Sequence, residues 1–268
     1  MEKKKFSFRM SDGNVVLMEA YDTLPSTAAL AKKYAEAGYP DRYVVFADRQ
    51  TETPITGTKL KEGESESGVF MSCILRPSLF VSQAGFLGAM AAVALTDALE
   101  EHSPARFGIG WVSDVYCEGI RIGGAMLEGK LDRYSAFEYL IVTFAVRLNA
   151  EHFPPRLTDM IRKVFESENA SLPMIIGRTI LTRFFALYPN AKTPKKFMDD
   201  YSQKFALRGL KIKRRLEDEK FERVKVLGID SKNGALMVEG KDGNVLHITA
   251  RGSVILPKKI RIRAKDKQ

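Results

Sequence analysis

The sequence predicts an α+β protein, a mixed β-sheet flanked by helices and followed by a small carboxy-terminal β-barrel. Three observations carry this. Runs of apolar, β-branched and aromatic residues alternate with stretches of helical spacing as far as residue 206. Beyond residue 217 only short strand-like runs remain, separated by the turns Ser231-Lys-Asn-Gly234 and Gly240-Lys-Asp-Gly243. A chain of 268 residues, 45% hydrophobic and 28% charged, buries a full core and has length left for a second unit. The boundary is expected near Glu217, giving units 1–216 and 217–268, the second ending in a basic tail.

Taken in order, Asn14–Ala20 reads as a strand. Leu24 to Gly38 reads as a helix, with Ser26 or Thr27 as its cap and Gly38 as its stop. Tyr43–Asp48 is the next strand. A polar loop, 50–68, is broken by Pro54, Gly57 and Gly63. Val69–Arg76 makes a buried strand, and Gln83–Glu101 an alanine-rich helix whose small residues let it lie close to a sheet. Phe107–Val112, Asp114–Glu118, Arg121–Lys130 and Glu138–Asn149 complete one sheet, and Pro155–Val164, Met174–Tyr188 and Thr193–Ala206 supply three helices. The basic segment Lys204–Arg215 reads first as a linker or solvated face and second as an anion-binding one.

Composition narrows the function classes. Two cysteines, Cys73 and Cys117, both in apolar runs, argue against a disulfide scaffold and for a reducing compartment. The amino terminus turns polar after its charges instead of entering a signal-peptide core, and no run reaches the roughly 20 apolar residues that cross a bilayer. A cytoplasmic protein without a membrane segment is expected. The net charge of +9 gathers in Lys3–Lys5, Lys204–Arg215 and Lys258–Lys267, and nothing before Leu24 has the form of a helix-turn-helix, so no DNA-binding domain is expected. His102, His152 and His247 lack partners at metal spacing, which gives no metal site. Phosphate-loop, nucleophile-elbow and dinucleotide fingerprints are all missing.

A series of motifs then narrows the reading further. Asp22-Thr-Leu-Pro-Ser-Thr27 opens the first helix, Ala47-Asp-Arg-Gln-Thr51 ends a strand, and Val69-Phe-Met-Ser-Cys-Ile-Leu-Arg-Pro77 is the next strand. Trp111-Val-Ser-Asp-Val leads into Arg121-Ile-Gly-Gly-Ala-Met-Leu-Glu128. In this order, and with Val226–Val238 near the carboxy terminus, they resemble the biotin–protein ligases over nearly the whole chain. The resemblance implies a class II synthetase-like biotin/lipoate ligase catalytic domain plus an SH3-like barrel. The implied activity joins the biotin carboxylate to the α-phosphate of ATP and passes the acyl group to a lysine of a biotin carboxyl-carrier domain. Biotin, ATP and Mg²⁺ are the ligands of an active member, and cations must neutralise the two anions brought together.

By resemblance, Ser26, Thr27, Gln50, Trp111, Asp114, Arg121, Gly123 and Gly124 surround that ligand. All but Arg121 have a plainer reading: helix caps for Ser26 and Thr27, a solvated side chain for Gln50, core for Trp111, a turn residue for Asp114, close strand packing for the glycines. The sequence also departs from the family. Gly110 stands for the reactive-site lysine, and Glu52–Lys61 replaces a glycine- and arginine-rich phosphate loop, with Lys59 and Lys61 as compensating cations. Ala28 replaces an asparagine, and Thr143 and Ala145 replace glycines, which narrows the pocket. No residue is assigned as catalytic. The first alternative is a catalytically silent paralogue that binds a carrier domain, a small carboxylate or a partner protein. The second, resting on Ile122-Gly-Gly-Ala125, is a lipoate or octanoate ligase or transferase. A homodimer is compatible with the fold.

Overall fold

The computed structural model describes residues 3–10, 12–52, 66–79, 81–103, 105–148, 172–217 and 219–260. Eight strands form the larger sheet, β1 (Lys3–Arg9), β2 (Val15–Leu24), β3 (Tyr43–Gln50), β4 (Glu66–Leu75), β5 (Phe107–Gly110), β6 (Asp114–Cys117), β7 (Ile120–Leu131) and β8 (Phe137–Arg147). Their spatial order is β1-β2-β3-β4-β8-β7-β6-β5. The sheet is mixed because helix α1 (Thr27–Glu36) carries the chain from β2 back to a parallel β3, while the other pairs are antiparallel. Strand alternation gives it two apolar faces. Tyr43, Val45, Ala47, Phe70, Ile141 and Ala145 pack toward α1. Val44, Phe46, Met71, Cys73, Val142 and Phe144 pack with helices α2 (Val81–Glu101), α3 (Leu172–Leu187) and α4 (Lys195–Lys204).

β1 is a strand that the sequence reading takes for a charged terminus. It pairs with β2 from Lys3↔Tyr21 to Arg9↔Val15 and is largely exposed, so its Phe-Ser-Phe alternation is diluted by lysines. What holds its start is Glu19, a buried carboxylate reached by Lys3 Nζ at 3.0 Å and by the hydroxyls of Tyr21 at 2.8 Å and Tyr34 at 2.9 Å. Burial alone pushes the Glu19 pKa up, but these hydrogen bonds outweigh it and bring the group from 4.5 down to about 2.

The second sheet has the order β12-β11-β10-β9-β13, built from β9 (Lys211–Arg215), β10 (Phe221–Ile229), β11 (Leu236–Glu239), β12 (Val245–Ile248) and β13 (Val254–Ile255). Two expectations are corrected here. The barrel does not close, since no pairing joins β12 to β13 among the described residues. The basic segment ahead of residue 217 is no linker: Lys211–Arg215 is a central strand of this sheet, with Ile212 buried and the long cationic side chains reaching solvent on either side. Both hairpin turns form as read, with Gly234 and Gly243 at positive φ. The helix expected over Pro155–Val164 lies outside the described residues. No helix among the described residues is long and apolar enough to cross a membrane.

Candidate functional site

The entry of α1 is a closed polar string. Ser26 has extended backbone (φ −155°, ψ 123°) and its Oγ accepts the Ala29 N–H at 3.2 Å, so it is the cap. The Thr27 N–H donates to Gln50 Oε1 at 2.6 Å. Ser72 Oγ donates to Thr27 Oγ1 at 2.9 Å and lies 2.9 Å from Thr143 Oγ1, its cross-strand neighbour on β8. Thr27, Gln50, Ser72 and Thr143 are all buried. A helix amino terminus attracts anions through unused N–H donors; here the donors of Thr27 and Ala29 are answered by Gln50 and Ser26. Gln50 is thus neither solvated nor aimed at open space. Thr143 fills the string with its hydroxyl, in line with the narrowing read from its replacement of glycine.

A second group sits farther along the same sheet face. Register places Gly110 opposite Asp114, Asp114 opposite Gly124, Gly124 opposite Ala145 and Ala145 opposite Phe70. Residues directly opposite share a face, and Ala145 lies two residues from Thr143, so this row runs beside the α1 string. Asp114 Oδ2 accepts from Arg251 Nη2 at 3.0 Å and lies 3.6 Å from Arg121 Nη1. These residues, with Val112, Ser113, Ala125, Leu127 and, from α2, Ala84 and Gly88, line a cavity of about 430 Å³, so α2, which packs on the face opposite α1, forms one of its walls.

The glycines answer to packing. A Cβ on Gly123 would meet the Ala145 carbonyl oxygen at 2.0 Å, and one on Gly124 the Ser113 oxygen at 2.4 Å. Neither substitution fits without moving backbone. At Gly110 a Cβ would lie 2.7 Å from Tyr116 Cε2 and 3.1 Å from Asp114 Cβ. Tyr116 is fully buried and its hydroxyl donates to the Pro257 carbonyl at 2.6 Å. Burial, with the Asp114 charge beside it, pushes the phenol pKa up. The space beside Gly110 is therefore filled by an aromatic ring that is itself bolted to the second sheet. Trp111 does the same on the next position: it is buried, and its Nε1–H donates to Gly234 O at 2.9 Å. Its role is core and inter-sheet contact, the plainer of its two readings.

No family model matches the chain. Among curated proteins it is similar to the bifunctional ligase/repressor BirA of Bacillus subtilis (strain 168), 26% identical over 231 residues, spanning 83% of this chain and 69% of that protein. The BirA of Bacillus spizizenii is 24% identical over 230 residues, with the same two shares. Among solved structures, the biotin protein ligase of Aquifex aeolicus superposes with a TM-score of 0.65 at 19% identity, over 90% of this chain and 97% of that one. The same ligase in complex with biotin and ATP gives 0.66 at 20% identity, over 89% and 97%. A biotin protein ligase-like protein of unknown function from Silicibacter gives 0.61 at 14%, over 87% and 94%. The chain has the biotin protein ligase fold.

Within this ligase fold the structure brings Ser26, Thr27 and Gln50 together at the α1 entry, and Asp114, Arg121 and Gly124 together at the β6–β7 pair, while Gly123, opposite Val146, and the buried Trp111 belong with the core on the other face. Lys59 and Lys61 lie outside the described residues. Sequence reasoning passed over Tyr116, Ser72 and Arg251. Ser72 stands inside a quoted motif and Tyr116 directly after one, but only register shows what each of them packs against. Arg251 has no sequence signal, being 137 residues from Asp114. For metal, no group of three or more His, Cys, Asp or Glu with suitable placement occurs among the described residues. Asp114, the carboxylate of the site, is committed to two arginines, so the described residues do not fit Mg²⁺. His102 Nε2 pairs with Thr179 at 2.9 Å and His247 Nδ1 with Asp230 at 3.3 Å.

Proposed function

We propose that this chain is a biotin–protein ligase-like protein that uses ATP to attach biotin to a carrier-domain lysine through an acyl-adenylate. The observation that supports the proposal is the register row of a ligase-fold sheet that runs from Gly110 and Asp114, the latter held by Arg121 and Arg251, through Gly124 to Ala145, beside the Thr143 that closes the α1 entry. In the first step a carboxylate oxygen bonds to the α-phosphorus and pyrophosphate leaves; in the second the carrier amine attacks the acyl carbon and AMP leaves. Both steps gather negative charge, and Arg121 and Arg251 are the cations that the site offers where Gly110 offers none. A carrier domain and a small carboxylate are the corresponding partners. The test is purified protein with biotin, MgATP and a folded biotin carboxyl-carrier domain, followed by pyrophosphate release and carrier mass. Turnover with a labelled lysine is expected; neither product in the presence of a competent carrier contradicts the proposal.

The closure of the Gly110 position by Tyr116 favours a second reading, in which the fold is kept for binding and the adenylation step is lost. That reading predicts binding of biotin or of the carrier without pyrophosphate release, and the same assay separates the two.

A further inference from the structure

The positive charge of the chain is concentrated in one region. Residues 204–268 hold 18 of the 42 Lys and Arg but 8 of the 33 Asp and Glu, a net of +10, which leaves residues 1–203 at −1. The five-stranded sheet gives this charge a shape. On β9, Lys211, Lys213 and Arg215 are exposed while Ile212 is buried; on β10, Phe221, Arg223 and Lys225 are exposed while Val224 is buried. Register sets Arg215 opposite Phe221, Lys213 opposite Arg223 and Lys211 opposite Lys225, with Ile255 of β13 on the other flank of Lys213.

One face therefore carries five cations in two adjacent rows. Like charges directly opposite destabilise a sheet, so folding alone gives no reason for them. Glu239 answers Lys225 at 3.3 Å and Glu219 answers Arg215 at 2.9 Å. Lys211, Lys213 and Arg223 have no ion pair among the described residues. Instead they line a groove of about 430 Å³ completed by Ile212, Ile255, Leu256 and Pro257, with no acidic side chain in its wall. Along β9 the cations repeat every ~7 Å, close to the separation of successive phosphates in an extended single strand. Phe221, 48% exposed, offers a ring for base stacking at the end of the same face.

We propose that this face binds single-stranded nucleic acid without sequence preference, phosphates on Lys211, Lys213 and Arg223 and a base on Phe221. The proposal is independent of the acyl-transfer reading. An anionic bilayer fits less well, because the apolar side chains here are two isolated strand residues, Phe221 and Ile255, and not a continuous amphipathic helix.

The test is fluorescence anisotropy of the full chain with labelled oligothymidine and oligouridine of about 20 nucleotides, a length above one strand-binding site, at rising salt. The triple variant Lys211→Gln/Lys213→Gln/Arg223→Gln is expected to lose about tenfold or more in affinity and to flatten the salt dependence by about two units of log–log slope. Phe221→Ala should lose affinity with the slope unchanged. The control Lys192→Gln/Lys195→Gln/Lys196→Gln, which removes the same charge from exposed positions elsewhere, should bind within about twofold of the native chain. Circular dichroism melts establish that each variant is folded, and single substitutions replace the triple if it is not. No binding at moderate salt overturns the proposal. So does equal loss in the control, or tighter binding to duplex, to phosphatidylserine vesicles or to an acidic protein.

Discussion

Gly110 occupies the place where the resemblance expects a lysine, and Gly110→Ala probes how that place has been refilled. A Cβ there lies 2.7 Å from the Tyr116 ring, inside the 3.0 Å below which something must shift. The ring has little freedom, being buried and tied through its hydroxyl to Pro257 at 2.6 Å. In an unobstructed strand Gly→Ala stabilises by about 0.4–1 kcal/mol through the unfolded state. Overpacking a filled site costs about 1–3 kcal/mol. The variant should therefore be less stable by about 0.5–2 kcal/mol. Urea unfolding followed through the single tryptophan, Trp111, reads this directly. In a Tyr116→Leu background the penalty should disappear, a coupling of about 1 kcal/mol or more. A neutral or stabilising Gly110→Ala, or the same penalty in both backgrounds, refutes the closure.

Trp111→Phe removes the hydrogen bond to Gly234 and should cost about 1 kcal/mol, with faster proteolysis within the five-stranded sheet as a second readout. Arg251→Ala breaks the ion pair to Asp114 across the two sheets; because Arg251 is 39% exposed, the expected loss is at most about 1 kcal/mol by denaturant titration. If the ligase reading holds, the same change lowers the rate of pyrophosphate release more than it lowers stability. Glu19 sets an acid limit: its folded pKa lies below its unfolded one, so its contribution is complete above about 4.5 and is lost as pH falls toward about 2. Melts of Glu19→Gln should be flatter across that window than those of the native chain, and parallel curves would count against the cluster.

Most of the large sheet was legible because its strands are central and continuous: Val69–Arg76 and Glu138–Asn149 are apolar on both faces, and helices cover both sides of the sheet. β1 was not, because an edge strand that pairs on one side only carries a composition close to that of a solvated tail. Lys211–Arg215 was hidden for a related reason. Its one deeply buried residue, Ile212, sits among four cations, and charge outweighed alternation in the reading. At the site, residue identities were readable and their commitments were not. Gln50, Thr27 and Asp114 were singled out as polar groups, and each is held by a partner distant in the chain: Gln50 with Thr27 across the β2–β3 crossover, Asp114 with Arg251 from the turn before β13. Spacing along a chain carries no information about such pairings until the register is known.

Calorimetric titration of the purified chain with biotin, then of the biotin-loaded chain with MgATP, followed by mass detection of the biotinyl-adenylate, bears most directly on the ligase reading. The account predicts saturable heat at both additions and an adenylate that disappears when a carrier domain is added, its lysine gaining the biotinyl mass. Absence of heat with biotin and of adenylate at saturating MgATP, from protein with a normal melt, would contradict it.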